Sequence, residues 1–218
     1  MVDVKLHLGD CLDFMRSLPD GGVDAVITDP PYGIHHSSNH GASWQGTEIE
    51  GDGDTRIRDA IVDYFAVFGL PMAIFGMWKV ASPLHTRGVL VWDKGPAFGM
   101  GDLSFPFKPS WEQIYILGDG WKGSRDEGVI RNHLIVSWES KGRVHPHQKP
   151  VSLLMYLLSK LPDVKTVLDP CMGSGTTGVA CVKTGRNFIG CEISKEYFRI
   201  AERRIAEAQL QLPLFDNV

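Results

Sequence analysis

Apolar residues occur along the chain in two alternating patterns, short continuous runs and longer segments with a period of three to four residues. Runs such as Val89-Leu-Val-Trp92 are apolar at every position, as expected for strands that are buried on both faces of a sheet. The runs predict strands at 4–8, 23–28, 72–75, 88–92, 114–117, 134–138, 165–168 and 187–192. Their alternation with helical segments predicts an α/β fold, a Rossmann-like, mostly parallel sheet of about seven to eight strands with helices on both faces.

The helical segments carry recognisable start signals in the second half of the chain. Pro150 suits the first position of a helix that runs to Leu161, and Ser194 suits the N-cap of a last long helix. The residues of this last helix that are predicted to face the sheet are Tyr197, Ile200, Ala201, Ile205 and Ala208. Segments 33–55 and 95–110 fit neither pattern and are predicted to be long loops, which in a compact domain are usually functional.

Length and composition limit the class of protein. The chain has 218 residues, which is the length of one domain, and 43% of these residues are hydrophobic. The longest uncharged apolar stretch, residues 64–78, contains Pro71 and is shorter than the ~18 residues of a membrane span, and no secretory signal is visible. We therefore expect a cytoplasmic protein without membrane contact.

The cysteines form no Cys-x-x-Cys pair, which favours reduced thiols; they are Cys11, Cys171, Cys181 and Cys191. A zinc site at His36 and His40 is the weaker alternative, because no thiols accompany these two histidines. We expect no metal.

Charge is distributed unevenly along the chain. The net charge of −4 argues against a protein that coats nucleic acid through a general excess of Lys and Arg. Residues 1–60 have a balance of −7, whereas residues 121–150 have a balance of +3. The second of these segments is the most basic part of the chain.

A glycine-rich turn follows the predicted strand at 165–168. Gly173, Gly175 and Gly178 form the pattern G-x-G-x-x-G between this strand and a helix, and Glu192 ends the next strand, 19 residues beyond Gly173. Glycines let the backbone approach a ligand, and a carboxylate at that spacing can reach ribose hydroxyls. The turn alone fits a dinucleotide, S-adenosylmethionine, or a tight turn that only packs a helix on the sheet.

A second motif follows the predicted strand at 23–28. Asp29 precedes Pro30, Pro31 and Tyr32, so that its side chain projects from the end of the strand, where α/β sheets bind ligands. The Asp29 carboxylate and the Pro30 carbonyl could accept both N–H bonds of an aromatic amine, while Tyr32 stacks on its ring. The alternative is a turn that ends the strand, with a capping Asp.

Together these motifs resemble those of the amino-methylating DNA methyltransferases, over most of the chain. Leu8-Gly-Asp10-Cys11-Leu-Asp-Phe-Met15 resembles the family segment that contacts the cofactor adenine, and Asp29–Tyr32 the catalytic tetrapeptide. Two further segments resemble cofactor-binding segments of the family. They are His145-Pro-His147-Gln148-Lys149-Pro150 and Asp169-Pro170-Cys171-Met-Gly173-Ser174-Gly175-Thr176-Thr177. His147 and Cys171 stand where the family usually has Thr and Phe. The catalytic motif precedes the cofactor loop, which is the circularly permuted, beta-class order.

The resemblance implies an S-adenosylmethionine-dependent methyltransferase fold and a DNA adenine-N6 methyltransferase that flips its target base. The residues that it assigns to the cofactor are Asp10, Cys11, His145, Gln148, Lys149, Asp169, Pro170, Gly173, Ser174, Gly175, Thr176, Thr177 and Glu192. Asp29 as the first residue of the tetrapeptide favours adenine over the rival cytosine-N4 reaction. Rivals of other classes are a nicotinamide-dependent oxidoreductase, which leaves Asp29–Tyr32 unexplained, and an inactive DNA-binding subunit.

The basic segment is the candidate contact with double-stranded DNA. Residues 118–143 contain Trp121 and the candidate DNA-binding residues Lys122, Arg125, Arg131, Lys141 and Arg143. The alternative is a solvated loop. Because the candidate recognition regions, 33–55 and 95–143, are short, a homodimer could share the DNA contacts.

The chain end, Gln211-Leu-Pro-Leu-Phe215, resembles the peptide with which bacterial proteins dock onto the sliding clamp. The alternative is that it folds back on the core of the protein. The predicted organisation is a single methyltransferase domain, 1–218, with a catalytic half at about 1–94, the two insertions, a cofactor half at about 144–210 and this tail at 211–218.

Overall fold

A computed structural model describes residues 2–33, 53–95, 106–107, 110–126, 128–131 and 148–211. The described strands are β1 Val4–Leu8, β2 Ala25–Thr28, β3 Met72–Gly76, β4 Gly88–Asp93, β5 Trp111–Leu117, β6 Val129–Arg131, β7 Thr166–Asp169 and β8 Asn187–Glu192. They form one sheet in the order β1-β8-β7-β2-β3-β5-β4-β6. The predicted mostly parallel sheet is confirmed, since only β5 pairs antiparallel among these strands.

Two predicted features need comment. The strand predicted at 134–138 lies outside the described residues, and β6 was not predicted, because a three-residue run is too short to stand out from its surroundings. The other predicted strands are present, with ends that differ by at most three residues.

The described helices cover both faces of the sheet, as predicted. They are α1 Cys11–Ser17, α2 Arg56–Ala66, α3 Val151–Ser159, α4 Thr176–Lys183 and α5 Lys195–Leu210. Ser194 is the N-cap of α5 as predicted, and its hydroxyl accepts a hydrogen bond from the Tyr197 N–H at 3.4 Å. Pro150, predicted at the first position of a helix that runs to Leu161, is instead the N-cap of α3, which ends at Ser159. Of the α5 residues predicted to face the sheet, Ala201, Ile205 and Ala208 are fully buried.

Successive residues of the central strands pack alternately into two hydrophobic cores, one on each face of the sheet. Ile27 and Phe75 pack with α3, α4 and α5 on one face, whereas Val26 and Ile74 pack with α1 and α2 on the other. This period of two is the reason why these strands are apolar at every position.

Strand direction determines where the chemistry can lie. Seven of the eight described strands run the same way, so they end together at what we call the carboxyl end of the sheet, and β5 begins there. At this end the chain leaves β2 and β7 toward opposite sides of the sheet, and the crevice between two such strands is where α/β sheets bind ligands.

No helix among the described residues is long and apolar enough to cross a membrane.

Candidate active site at the carboxyl end of the sheet

The Asp29 carboxylate lies directly after β2, with a hydrogen-bond donor on each oxygen. The Tyr32 hydroxyl donates to Oδ1 at 2.6 Å, and the Lys149 ammonium donates to Oδ2. Burial and the negative charge of Asp29 raise the pKa of Tyr32 well above its ordinary value. Tyr32 therefore keeps its proton and remains a donor to Asp29.

Lys149 is buried, with 8% of its surface exposed, and contacts Asp29 and Tyr32 of the tetrapeptide. Its Nζ atom lies 3.5 Å from the Tyr32 hydroxyl and 5.0 Å from the centre of the Phe75 ring. Burial lowers the pKa of Lys149, but the carboxylates of Asp29 and Glu112 outweigh it, so that the net shift is upward. The sequence analysis assigned Lys149 to the cofactor residues, whereas in the structure its ammonium group pairs with the Asp29 carboxylate.

Glu112 was not predicted as a site residue, although it lies in the same charge cluster. It stands at the start of β5, where Oε1 accepts from Lys94 at 2.5 Å and Oε2 lies 3.4 Å from Lys149 Nζ. Burial alone would raise the pKa of Glu112, but the two ammonium groups hold it below its ordinary value. The cluster thus contains two carboxylates and two amino groups, and the pKa shifts of Glu112 and Lys149 favour their charged forms. A glutamate at the end of an apolar run was the available signal, but the predicted strand began at Ile114.

Asp169 connects the two halves of the site from a fully buried position. Its Oδ1 accepts from the Thr28 hydroxyl at 2.7 Å and its Oδ2 from the Thr177 hydroxyl at 2.7 Å. The Cys171 N–H donates to Oδ1 at 3.1 Å. Burial raises the pKa of Asp169 to about 7 despite these bonds. Asp169 therefore fixes the end of β2, and with it Asp29, against the glycine-rich turn and α4.

The glycines of the turn serve two purposes. Gly173 and Gly175 have positive φ of 52° and 77°, which favours glycine at both positions. A Cβ on Gly178 would lie 2.5 Å from Ile205 and 2.8 Å from Phe188, so this glycine lets α4 approach α5 and β8. A Cβ on Gly175 would also lie 2.8 Å from Ala201 of α5, so the packing alternative considered for the motif holds for its second and third glycines. The positive φ of the first two glycines shapes the turn.

Two carboxylates flank the turn on the side of β1 and β8. The Glu192 carboxylate accepts from the Gly173 N–H at 2.9 Å and from the Ser194 N–H at 2.8 Å. Asp10 caps α1, accepting from the backbone N–H groups of Leu12 at 2.8 Å and Asp13 at 3.0 Å. Because β1 and β8 are parallel neighbours, these acids project from the same end of the sheet as the glycine-rich turn.

Arg204 on α5 is a second residue that the sequence did not reveal. Its guanidinium donates to the Ser174 carbonyl at 2.5 Å, to the Ser174 hydroxyl at 2.9 Å and to the Thr176 hydroxyl at 3.3 Å. It fixes the turn from outside. An arginine on the polar side of an amphipathic helix carries no signal that separates it from its neighbour Arg203.

The remaining predicted cofactor residues in the described part of the chain lie near this turn or beside Lys149. Cys11 and Cys171 share a thiol hydrogen bond, which raises the pKa of Cys171 and lowers that of Cys11. Pro170 is buried and Gln148 is half-buried next to Lys149. All four cysteines are free thiols.

The predicted DNA-binding residues are divided between the two ends of the sheet. Arg131 ends β6 at the carboxyl end, level with Asp93 of β4. Lys122 and Arg125 follow β5, which runs in the reverse direction, so they lie toward the amino end, where Lys122 pairs with Asp163.

Several predicted residues lie outside the described residues; they are His36, His40, Lys141, Arg143, His145 and His147. Among the described residues, no group of three or more His, Cys, Asp or Glu side chains is arranged to hold a metal ion.

Fold and site together define a Rossmann-like α/β protein of the methyltransferase class, in which the tetrapeptide Asp29–Tyr32 lies beside a glycine-rich turn. The family model described as DNA methylase matches residues 106–203. The protein described as "Putative methylase YubD" of Escherichia coli (strain K12) is 30% identical over 216 residues, which cover 92% of this chain and 89% of YubD. The chain belongs to the DNA methylase family.

Other similar proteins agree with this family. The Type II methyltransferase M2.MboI of Moraxella bovis is 27% identical over 93% of this chain and 88% of its own. Among solved structures, the complex of M1.HpyAVI with SAM has a TM-score of 0.60 and 24% identity, covering 92% of this chain and 99% of that one. At this identity the structural likeness concerns the fold.

Proposed function

We propose that this protein transfers a methyl group from S-adenosylmethionine to the exocyclic N6 amine of adenine in double-stranded DNA. The observation that carries the proposal is the Thr28–Asp169–Thr177 hydrogen-bond chain, which joins the catalytic tetrapeptide to the glycine-rich turn. A target amine at Asp29 and a cofactor at the turn would then meet at the carboxyl end of the sheet.

The residues around the turn fit this cofactor. S-adenosylmethionine carries ribose hydroxyls and an adenine amine, which are donors, and Glu192 and Asp10 supply carboxylate acceptors at the ends of β8 and β1. When bound, it supplies an electrophilic methyl group. The cofactor residues predicted from the sequence remain assigned to it, apart from Asp169, which we assign to holding the turn through Thr177, and Lys149, whose charge lies on Asp29.

The catalytic motif activates and orients the amine. The Asp29 carboxylate and the Pro30 carbonyl accept its two N–H bonds, so that the nitrogen lone pair is drawn out of conjugation with the ring and can attack the methyl carbon in line. Tyr32 offers the stacking face for a base that has left the duplex. As the new N–C bond forms, the bond between the methyl carbon and the cofactor sulfur breaks, S-adenosylhomocysteine leaves with the electron pair, and the amine releases one proton to water.

Methyl transfer to DNA can be measured with methyl-labelled S-adenosylmethionine and unmethylated double-stranded DNA, followed by digestion to nucleosides. We expect label in N6-methyldeoxyadenosine. Label in N4-methyldeoxycytidine would instead identify the cytosine reaction. Binding of a nicotinamide cofactor together with no label in any DNA would contradict the proposal.

Contact with DNA is proposed at the carboxyl end of the sheet, where the base must enter. Arg131 lies at that end, and the predicted contacts Lys141 and Arg143 follow it in the chain. A homodimer that shares the DNA contacts, and docking of Gln211-Leu-Pro-Leu-Phe215 onto a bacterial sliding clamp, remain predictions from the sequence. Saturable binding of the tail peptide to a clamp would test the second of these.

A further inference from the structure

Asp29 has no oxygen without a donor in this structure. Oδ1 accepts from the neutral Tyr32 hydroxyl, and Oδ2 accepts from the Lys149 ammonium, which is a charged and therefore much stronger donor. Under the proposed function Asp29 must accept an N–H of the target amine. A neutral amine cannot displace an ammonium group from a half-buried carboxylate unless that ammonium has another anionic partner.

Glu112 is such a partner. Its Oε2 atom lies 3.4 Å from Lys149 Nζ, is buried, and makes no hydrogen bond to any described residue at the present distances. A movement of Lys149 Nζ by less than about 1 Å would bring it to the usual length of a charge-assisted hydrogen bond. The other oxygen, Oε1, is fixed by Lys94, so the acceptor does not move away.

We propose that Glu112 is a positioning residue that receives the Lys149 ammonium when the target amine binds at Asp29. This role rests on the proposed function and adds to it. Lys149 remains buried and paired in both arrangements, and only its carboxylate partner changes. The exchange frees Asp29 Oδ2 for the amine while the cluster keeps its two positive and two negative charges.

Without the Glu112 charge, the ion pair between Lys149 and Asp29 should therefore persist when the target amine arrives. In Glu112→Gln the ammonium could leave Asp29 only by losing its one remaining charged partner among the described residues. We expect kcat for methyl transfer at saturating S-adenosylmethionine to fall by about tenfold or more, with cofactor binding unchanged. Glu112→Asp, which keeps the charge on a shorter side chain, should recover part of the lost activity.

The pH dependence separates this role from a structural one. The negative charges of Asp29 and Glu112 hold the pKa of Lys149 above its ordinary value, against the opposing effect of burial. Without the Glu112 charge the pKa of Lys149 falls, so alkaline pH deprotonates Lys149 and releases Asp29. The ratio of wild-type to Glu112→Gln activity should therefore shrink as pH rises, whereas a structural defect would give a constant ratio.

A double variant and a control complete the test. In a Lys149→Met background the further change Glu112→Gln should cost less than about threefold, because the residue that it positions is gone. Asp126→Asn, which removes a carboxylate paired with Lys160 toward the amino end of the sheet, should leave kcat unchanged.

Independent, multiplicative losses from Lys149→Met and Glu112→Gln would overturn the role of Glu112, as would a Glu112→Gln variant as active as the wild type. A wild-type protein that methylates no DNA would remove the proposed function itself. The two failures are therefore distinguishable.

Discussion

At the scale of single residues, the site combines ion-paired side chains with a buried carboxyl that fixes the backbone through hydrogen bonds. Asp29, Lys149 and Glu112 form an ionised cluster in which every charge has a partner. Asp169, which accepts a hydrogen bond from Thr28, the residue before Asp29, is a carboxyl whose pKa burial has raised to about 7. The same residue type thus has two roles, because only one of the two carboxylates lies beside an ammonium group.

Asp169 should make the stability of the protein pH-dependent. Its pKa is about 7 in the folded state and 3.8 in its ordinary state, so the folded protein binds more protons between these values and loses stability as pH rises through this window. The loss is at most about 4 kcal/mol. Asp169→Asn keeps hydrogen-bonding groups for Thr28 and Thr177 but does not titrate. Urea unfolding at pH 4 to 8 should give a flatter profile for the variant, and parallel profiles would contradict this assignment.

At the scale of elements, α4 and α5 hold the glycine-rich turn from two sides. Gly178 allows α4 to lie close to Ile205 of α5 and Phe188 of β8, and Arg204 of α5 donates to the turn itself. The turn is therefore shaped by packing behind it as well as by its own glycines.

Gly178→Ala should destabilise the protein without changing the surface of the site. Its new Cβ would meet Ile205 and Phe188 at 2.5 and 2.8 Å, and such overpacking costs about 1–3 kcal/mol. Gly88→Ala is the matched control, because nothing lies within 4 Å of a Cβ there. Denaturant unfolding of both variants tests the packing, and equal midpoints would show that α4 can move away freely.

Arg204→Ala should weaken cofactor binding more than it weakens the fold. Loss of three donated hydrogen bonds frees the turn at Ser174 and Thr176, and we expect the Kd for S-adenosylmethionine to rise about tenfold. Arg203→Ala, its exposed neighbour, should bind normally. Calorimetric titration of both proteins measures the difference; similar affinities would refute a role for Arg204 in holding the turn.

At the scale of the whole molecule, strand direction rather than sequence position determines which basic residues lie at the carboxyl end of the sheet. The basic residues of segment 121–150 lie at both ends of the sheet. Lys122 and Arg125 lie toward its amino end, whereas Arg131 lies at its carboxyl end. Lys149, counted with the same segment, is buried against Asp29. The net charge of +3 in residues 121–150 is therefore not located on a single surface of the protein.

Arg131→Ala should weaken DNA binding and lower the slope of log K against log salt by about one, as expected for one lost phosphate contact. Lys122→Ala should change both quantities less, because Lys122 pairs with Asp163 away from the catalytic residues. Fluorescence anisotropy at several salt concentrations compares the two variants. A larger effect of Lys122→Ala would place the DNA on the other end of the sheet.

The sequence was sufficient for most strands and both motifs, since apolar runs and the spacing of Asp, Gly and Pro depend on local chemistry. It was insufficient where the position of a residue depends on strand pairing or on contacts between residues that are distant in the chain. The reversed direction of β5 cannot be deduced from its apolar run, yet it brings Glu112 to the active site and carries Lys122 away from it. Arg204 was missed for the same reason, because the turn that it contacts is 28 to 30 residues distant in the chain.

Asp29→Ala is the most direct test of the central claim, that the Asp29 carboxylate at the end of β2 activates the target amine. The claim predicts that label transfer from S-adenosylmethionine to DNA is abolished while calorimetry gives an unchanged Kd for the cofactor, since Asp10, Glu192 and the glycine-rich turn remain in place. Retained methyl transfer by Asp29→Ala, with normal cofactor binding, would contradict it.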